Sequence, residues 1–192
     1  MNLKKKSSYT PVDCLPVEIF KSIAHIISPH LSEIVNLSFT QGIFPSSLKI
    51  AKIVPIFKDG DRTEVNNYRP ISILPIFSKT FEKIIFKRVY SFSDHFSILH
   101  KDQFGFRNNR STSQAIIGHL QYLYDNIDND NVVFSMFLDF RKAFDTVDID
   151  ILLLKLHYYG IRGIPLSLFK SYLSGRMQYT TIQGASSEQL SN

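Results

Sequence analysis

A carboxylate at the end of an apolar run is the group in this chain best placed to do chemistry. Residues 132–138 read VVFSMFL and lead directly into Asp139, with Phe140 beside it and another aromatic, Phe144, five positions beyond the aspartate. An ionised carboxylate ending a buried strand costs on the order of several kcal/mol unless a cation or a set of donors meets it. A hard metal ion is one such cation, and a carboxylate holding one against a phosphate is how a nucleotidyl-transfer site begins. A capping or salt-bridged carboxylate is the plainer alternative for a single aspartate.

Such a site needs a strand to carry Asp139 and a turn to carry Phe144. Alternation predicts the strand, with Val133, Ser135, Phe137 and Asp139 on one face and Val132, Phe134, Met136, Leu138 and Phe140 on the other. Both faces are expected to be half or fully buried. Asp145, Asp148 and Asp150 stand just before ILLLKL, where they suit an N-cap and the positive end of a helix better than a second half of a metal cluster.

Around this centre the pattern predicts a mixed order of elements. Helices are expected over residues 16–27 and 31–39, the second stopped near Gly42. A short strand over 50–57 carries Pro55, which demotes it to an edge or bulged position. A polar tip at 58–67 then leads to an extended stretch at 68–74 and a helix at 76–92. Beyond a loop over 97–110, Ser111 and Gln114 have the spacing of a capping box for a helix reaching about Asp125. Helices over 149–158 and 165–173 and a strand over 177–183 complete the chain.

Composition limits what the chain can be. With 192 residues, 44% of them hydrophobic, it can bury a core, and a single cysteine, Cys14, excludes an internal disulfide and a cysteine-based zinc site. The six histidines lack ligand spacing. No apolar stretch reaches membrane-spanning length, and the lysines near the N-terminus have no apolar segment behind them, so a soluble, intracellular protein is expected, with nucleus and cytoplasm undistinguished. The formal charge of +5 is uneven: residues 51–110 hold eleven basic and six acidic side chains, and residues 111–192 are net −2. A basic half for a polyanion and an acidic half for a cation would fit this division, as would a solvated surface.

Four blocks carry a family likeness. NYRPISILPIFSKTFEKIIFKRV (67–89), DQFGFRNNRSTSQAI (102–116), FLDFRKAFDTVDIDILLLKL (137–156) and SYLSGRMQ (171–178) resemble, in order and spacing, the reverse transcriptases of non-LTR retrotransposons of the LINE or jockey-like group. The resemblance implies an α+β fold, the fingers and partial palm of a polymerase right hand, helix-rich with a small antiparallel sheet. It implies a helical lead-in over residues 1–48 and the reverse transcriptase domain over 49–192. It also implies RNA-directed DNA polymerase chemistry with two magnesium ions, an RNA template, a DNA primer and deoxynucleoside triphosphates, and no membrane.

The same resemblance assigns roles. Asp139 falls on the first catalytic, metal-holding aspartate, and Phe140 would offer its main-chain carbonyl to a metal and to the nucleotide site. Phe144 matches the aromatic that leaves no room for a 2′-hydroxyl, although a core phenylalanine anchoring the turn is equally compatible. Lys58 and Arg69 match finger residues that grip the incoming triphosphate, a point charge and a guanidinium fork. Gln103, Phe104, Arg107 and Arg110 match template contacts, with the two arginines just ahead of a helix N-terminus. Phe104 and Phe106 could also be core, and Arg62 reads as a solvated loop residue. Lys79, Lys83 and Lys87 form an i, i+4 row that suits a nucleic-acid backbone or a solvent face.

Departures from the family pattern set a further expectation. The Tyr/Phe-x-Asp-Asp hairpin and the Gly-x-Pro-Gln-Gly segment are missing from these residues, and DCLP stands where an Asp-Gly turn is common. A truncated copy, inactive alone and prone to aggregate through the exposed surface around Phe137, is therefore expected. The alternative function is a non-catalytic nucleic-acid-binding remnant.

Overall fold

The computed structural model describes residues 17–140, 142–182 and 185–191. The chain divides into two compact units, one formed by Met1–Lys87 with Asp148–Asn192 and one by Arg88–Val147.

In the first unit, helices α1 (Val17–Ser22) and α2 (Ala24–Gln41) precede a hairpin of β1 (Ile50–Phe57) and β2 (Tyr68–Ile73). Helix α3 (Ile76–His95) starts here and continues into the second unit. Helices α5 (Ile149–Tyr158) and α6 (Ile164–Leu173) and strands β3 (Met177–Ile182), β4 (Ala185–Ser186) and β5 (Leu190–Ser191) complete it. The expected break between the first two helices moves to Ile23, and Pro29 stays inside α2. An interior proline removes one backbone donor and crowds the carbonyl four residues earlier, here that of His25, yet α2 continues past it to Gln41, burying Val35 and Ser38. Pro16, the expected first helical residue, lies outside the described residues, as does Gln183 at the end of the last strand.

Gly42 ends α2 with φ +70°, its N–H donating to Ser38 O. A Cβ at this position would meet Ile164 O at 2.9 Å, so the glycine also permits the close approach of α6. The core then centres on stacked Phe44 and Phe81, each 1% exposed, with ring centroids 4.9 Å apart. Tyr172 packs edge-on against Phe44 at 5.0 Å, and Ser78 is buried while donating to Leu48 O at 2.9 Å.

Strand order is β2-β1-β3-β4, with β5 also paired to β3. The sheet is mixed and not purely antiparallel as expected, because β1 pairs with β3 in parallel from Ile50↔Met177 to Ile53↔Thr180. The helices between the two strands provide the crossover that a parallel pair requires. Pro55 is likewise not in an edge strand, since β1 lies between β2 and β3. It is tolerated because of its register. Lys58 N donates to Asn67 O at 2.8 Å, and alternation from that pair makes Pro55↔Pro70 a pair that exchanges no backbone bonds. The nitrogen of Pro55 therefore faces the β3 side, and β3 pairing stops two residues earlier, at Ile53.

The second unit contains the end of α3, the loop that follows it, helix α4 (Thr112–Ile127) and the segment through Val147. Ser111 and Gln114 form the expected capping box, at 3.2 and 2.9 Å. The strand expected before Asp139 does not form. Residues 131–140 pair with no strand among the described residues. The expected burial fails with it: Phe134, Met136, Leu138 and Phe140 are exposed, and Phe137 is 83% exposed. The run has the pattern of a strand without a neighbour to bond its backbone or cover its faces. No described residue of this unit is buried. Among the described residues, no helix is long and apolar enough to cross a membrane.

Candidate functional site

Asp139 lies near the end of the unpaired segment 131–140 and is exposed, and no hydrogen bond or ion pair reaches it among the described residues. The segment is anchored sideways on α4, where the His119 ring meets Phe137 edge-on at 5.6 Å and Ser135 Oγ lies 3.4 Å from His119 Nε2. Past Phe140 the chain turns, with Asp145 N and Thr146 N both donating to Lys142 O. Lys142 adopts φ +55° there, a left-handed conformation that non-glycine residues seldom take.

The turn displays Phe144, which is exposed and not a core anchor. Its ring meets Phe106 edge-on at 5.8 Å. Phe106 is also exposed, so the core alternative for it fails, while Phe104 is half-buried. Sequence reasoning placed Phe106 beside the template residues without pairing it with Phe144. The contact joins the Gln103 to Arg110 loop to the turn after Asp139.

That loop is fastened to α3. Arg107 donates to His100 O at 3.0 Å and lies 3.8 Å from Asp94, with its side chain 15% exposed. Asn108 N donates to the Tyr90 hydroxyl at 3.1 Å, and Gln103 Nε2 donates to Gly105 O at 3.2 Å. Arg110 lies over the Phe104 ring at 5.2 Å. Tyr90 and Asp94 were missed from the sequence. Their i, i+4 spacing on a helix ahead of a basic loop was the available signal. The capping box occupies part of the α4 N-terminus, leaving fewer free N–H groups for a phosphate than expected.

Lys58 and Arg69 belong to the β1–β2 hairpin in the other unit, and both are exposed. Arg69 is opposite Ile56 and Lys58 is two residues beyond it, so the two cations share one face as diagonal neighbours. The hairpin tip is ordered by its own bonds. Asp61 accepts from Thr63 N at 2.9 Å and Thr63 Oγ1 at 2.8 Å, and those bonds, the backbone one first, hold its carboxyl below the usual carboxylate range. Asn67 Nδ2 donates to Asp61 O at 2.8 Å. Arg62 is not merely solvated, since its guanidinium stacks 4.7 Å from the centre of Phe57.

Of the other aspartates near the turn, Asp148 caps α5 by accepting from Ile151 N at 3.0 Å, as expected, and Asp150 lies in its first turn. No group of three acidic, histidine or cysteine side chains that could hold a metal occurs among the described residues. One carboxylate and a neighbouring carbonyl suit part of the oxygen shell of a hard cation and fall short of a complete site.

The candidate residues thus form two sets. Asp139, Phe140, Phe144, Gln103, Phe104, Arg107 and Arg110 belong to Arg88–Val147, and Lys58 and Arg69 to the hairpin of the first unit.

A model of the family "Reverse transcriptase (RNA-dependent DNA polymerase)" matches residues 56–190, a span that includes every residue of both sets. Over 158 residues the chain is 32% identical to the RNA-directed DNA polymerase from mobile element jockey of Drosophila melanogaster, covering 80% of this chain and 17% of that protein. It is 36% identical over 140 residues to the probable RNA-directed DNA polymerase from transposon X-element of the same fly, covering 69% and 15%. It is also 31% identical over 183 residues to the putative 115 kDa protein in type-1 retrotransposable element R1DM of that fly, covering 89% and 16%. The chain spans about a sixth of the length of these curated relatives.

Proposed function

This chain belongs to the reverse transcriptase (RNA-dependent DNA polymerase) family, as a domain from a non-LTR mobile element, and on that footing we propose that it forms the fingers and first part of the palm of an RNA-directed DNA polymerase. Residues 49–192 would be this polymerase portion and residues 1–48 its helical lead-in.

The observation that carries the reading is the joining of two matched blocks within one unit. Phe106, in the arginine-bearing loop, packs on Phe144, in the turn after Asp139. Gln103, Phe104, Arg107 and Arg110 would then face an RNA template beside the position of the incoming nucleotide. Phe144 would fill the space below its sugar, so deoxynucleotides are accepted and a 2′-hydroxyl is refused. Lys58 and Arg69, on one face of the hairpin, would grip the triphosphate.

Asp139 would hold a divalent cation, with the Phe140 carbonyl as a second oxygen. Magnesium, two ions in a complete polymerase, would supply charge stabilisation at the transferring phosphorus. The exposed carboxylate of Asp139, which no hydrogen bond or ion pair reaches among the described residues, supports that use, and at least one more carboxylate is required. For these residues acting alone, the single carboxylate favours a second reading, nucleic-acid binding without chemistry.

Primer extension on an RNA template separates the two readings. The isolated chain is expected to bind RNA with an affinity that falls steeply with salt and to extend nothing. An element polymerase containing this segment is expected to extend the primer in magnesium. Absence of extension by that longer protein would count against the catalytic reading.

A further inference from the structure

A hollow of about 380 Å³ opens between the last turns of α3 and the loop leading to α4, its wall including Ser93, Asp94, Ser97, Lys101, Arg107 and Arg110. Binding pockets run from roughly 300 to 1,000 Å³, so this one suits a group or fragment better than a large molecule. Its charge is unbalanced, with three permanent cations facing one carboxylate. That carboxylate is engaged: Asp94 lies 3.8 Å from Arg107, which also donates to His100 O at 3.0 Å. Arg107 is therefore part of the wall, held at the end of α3 where helix carbonyls also favour a cation. Lys101 and Arg110 form no ion pair among the described residues. Arg110 is oriented by its stacking on Phe104.

We propose that this hollow binds one phosphate group, contacted by Lys101 and Arg110, with Asp94 as the internal counter-ion that fixes Arg107 in the wall. A tetrahedral oxyanion fits two unpaired cations with serine hydroxyls beside them. The proposal rests on the reading of Arg107 and Arg110 as template-facing. It adds the hollow itself, Lys101 as a contact and Asp94 as a positioning residue. The phosphate can come from a polynucleotide backbone or from free phosphate.

Acetylation of the purified 192-residue chain by acetic anhydride, followed lysine by lysine with mass spectrometry, distinguishes these sources. A single-stranded RNA 12-mer forms one arm and inorganic phosphate the other, at matched ionic strength, with Lys21 on α1 as internal standard. RNA at saturating concentration is expected to slow acetylation of Lys101 about fivefold or more relative to Lys21. Protection in both arms means that a bare phosphate suffices, and protection by RNA alone assigns the polynucleotide as the source; either supports the site. Protection by phosphate alone keeps the hollow and defeats the template reading. Protection in neither arm overturns the proposal. Asp94→Ala is expected to lose the protection and Asp94→Glu to restore it, with helix content unchanged by circular dichroism. Equal protection in wild type and Asp94→Ala would remove Asp94 from the positioning role.

Discussion

Asp139 and Phe144 stand five positions apart, one offering a charge and the other a shape. In a polymerase containing this segment, Asp139→Asn keeps the size of the side chain and removes its charge, so extension is expected to fall at least about 100-fold, ~3 kcal/mol in the barrier. Retained extension would exclude Asp139 from the site. Phe144→Ala opens space under the sugar and is expected to raise ribonucleotide use relative to deoxynucleotide by about tenfold, ~1.4 kcal/mol. The ratio of kcat/KM for the two substrates measures it, and an unchanged ratio would return Phe144 to a packing role. Tyr172, in the first unit, reports on the fold. Its hydroxyl donates to Glu82 at 2.9 Å, and burial, followed by the Glu82 charge, pushes its pKa up to about 12. Folding thus favours the protonated phenol, so its contribution is complete below the unfolded value near pH 10 and is lost as pH rises to about 12. Thermal melts between those limits should fall less steeply in Tyr172→Phe than in wild type, and parallel slopes would refute the assignment. The candidate residues were legible as types within motifs. Their contacts were not, because the Phe106 to Phe144 and Arg107 to Asp94 pairs join residues remote in the chain.

Elements specified by short-range rules were the legible ones. Ser111 and Gln114 announce α4, Asp148 announces α5, and β1 has the boundaries that its residues predict, because caps and alternation act within a few positions. Ser111→Ala is expected to destabilise α4 by about 1 kcal/mol, seen as faster amide exchange in its first turn. Unaltered exchange would show that the cap contributes little. The run 132–138 has equally clear alternation and makes no strand. Sheet bonds need a partner, and local sequence does not contain one. The parallel β1–β3 pairing was hidden for the same reason, since Ile50 and Met177 meet only after the intervening helices have packed.

At the scale of the whole molecule, the two units differ in what they bury. The first closes around Phe44 and Phe81, whereas Arg88–Val147 leaves Phe134, Phe137 and Phe140 in contact with water. A hydrophobe-sensing dye should therefore bind the purified chain, and Phe137→Glu should reduce both its signal and the protein's tendency to aggregate. A dark dye with wild type would contradict the exposed surface. The first unit carries a restraint of another kind. Pro70 sits in β2, outermost in its sheet, and because it exchanges no bond with Pro55 its ring nitrogen points outward. A strand from a neighbouring copy laid along β2 would reach for a hydrogen there and meet a ring carbon instead, so fibril growth from that border is blocked at its middle.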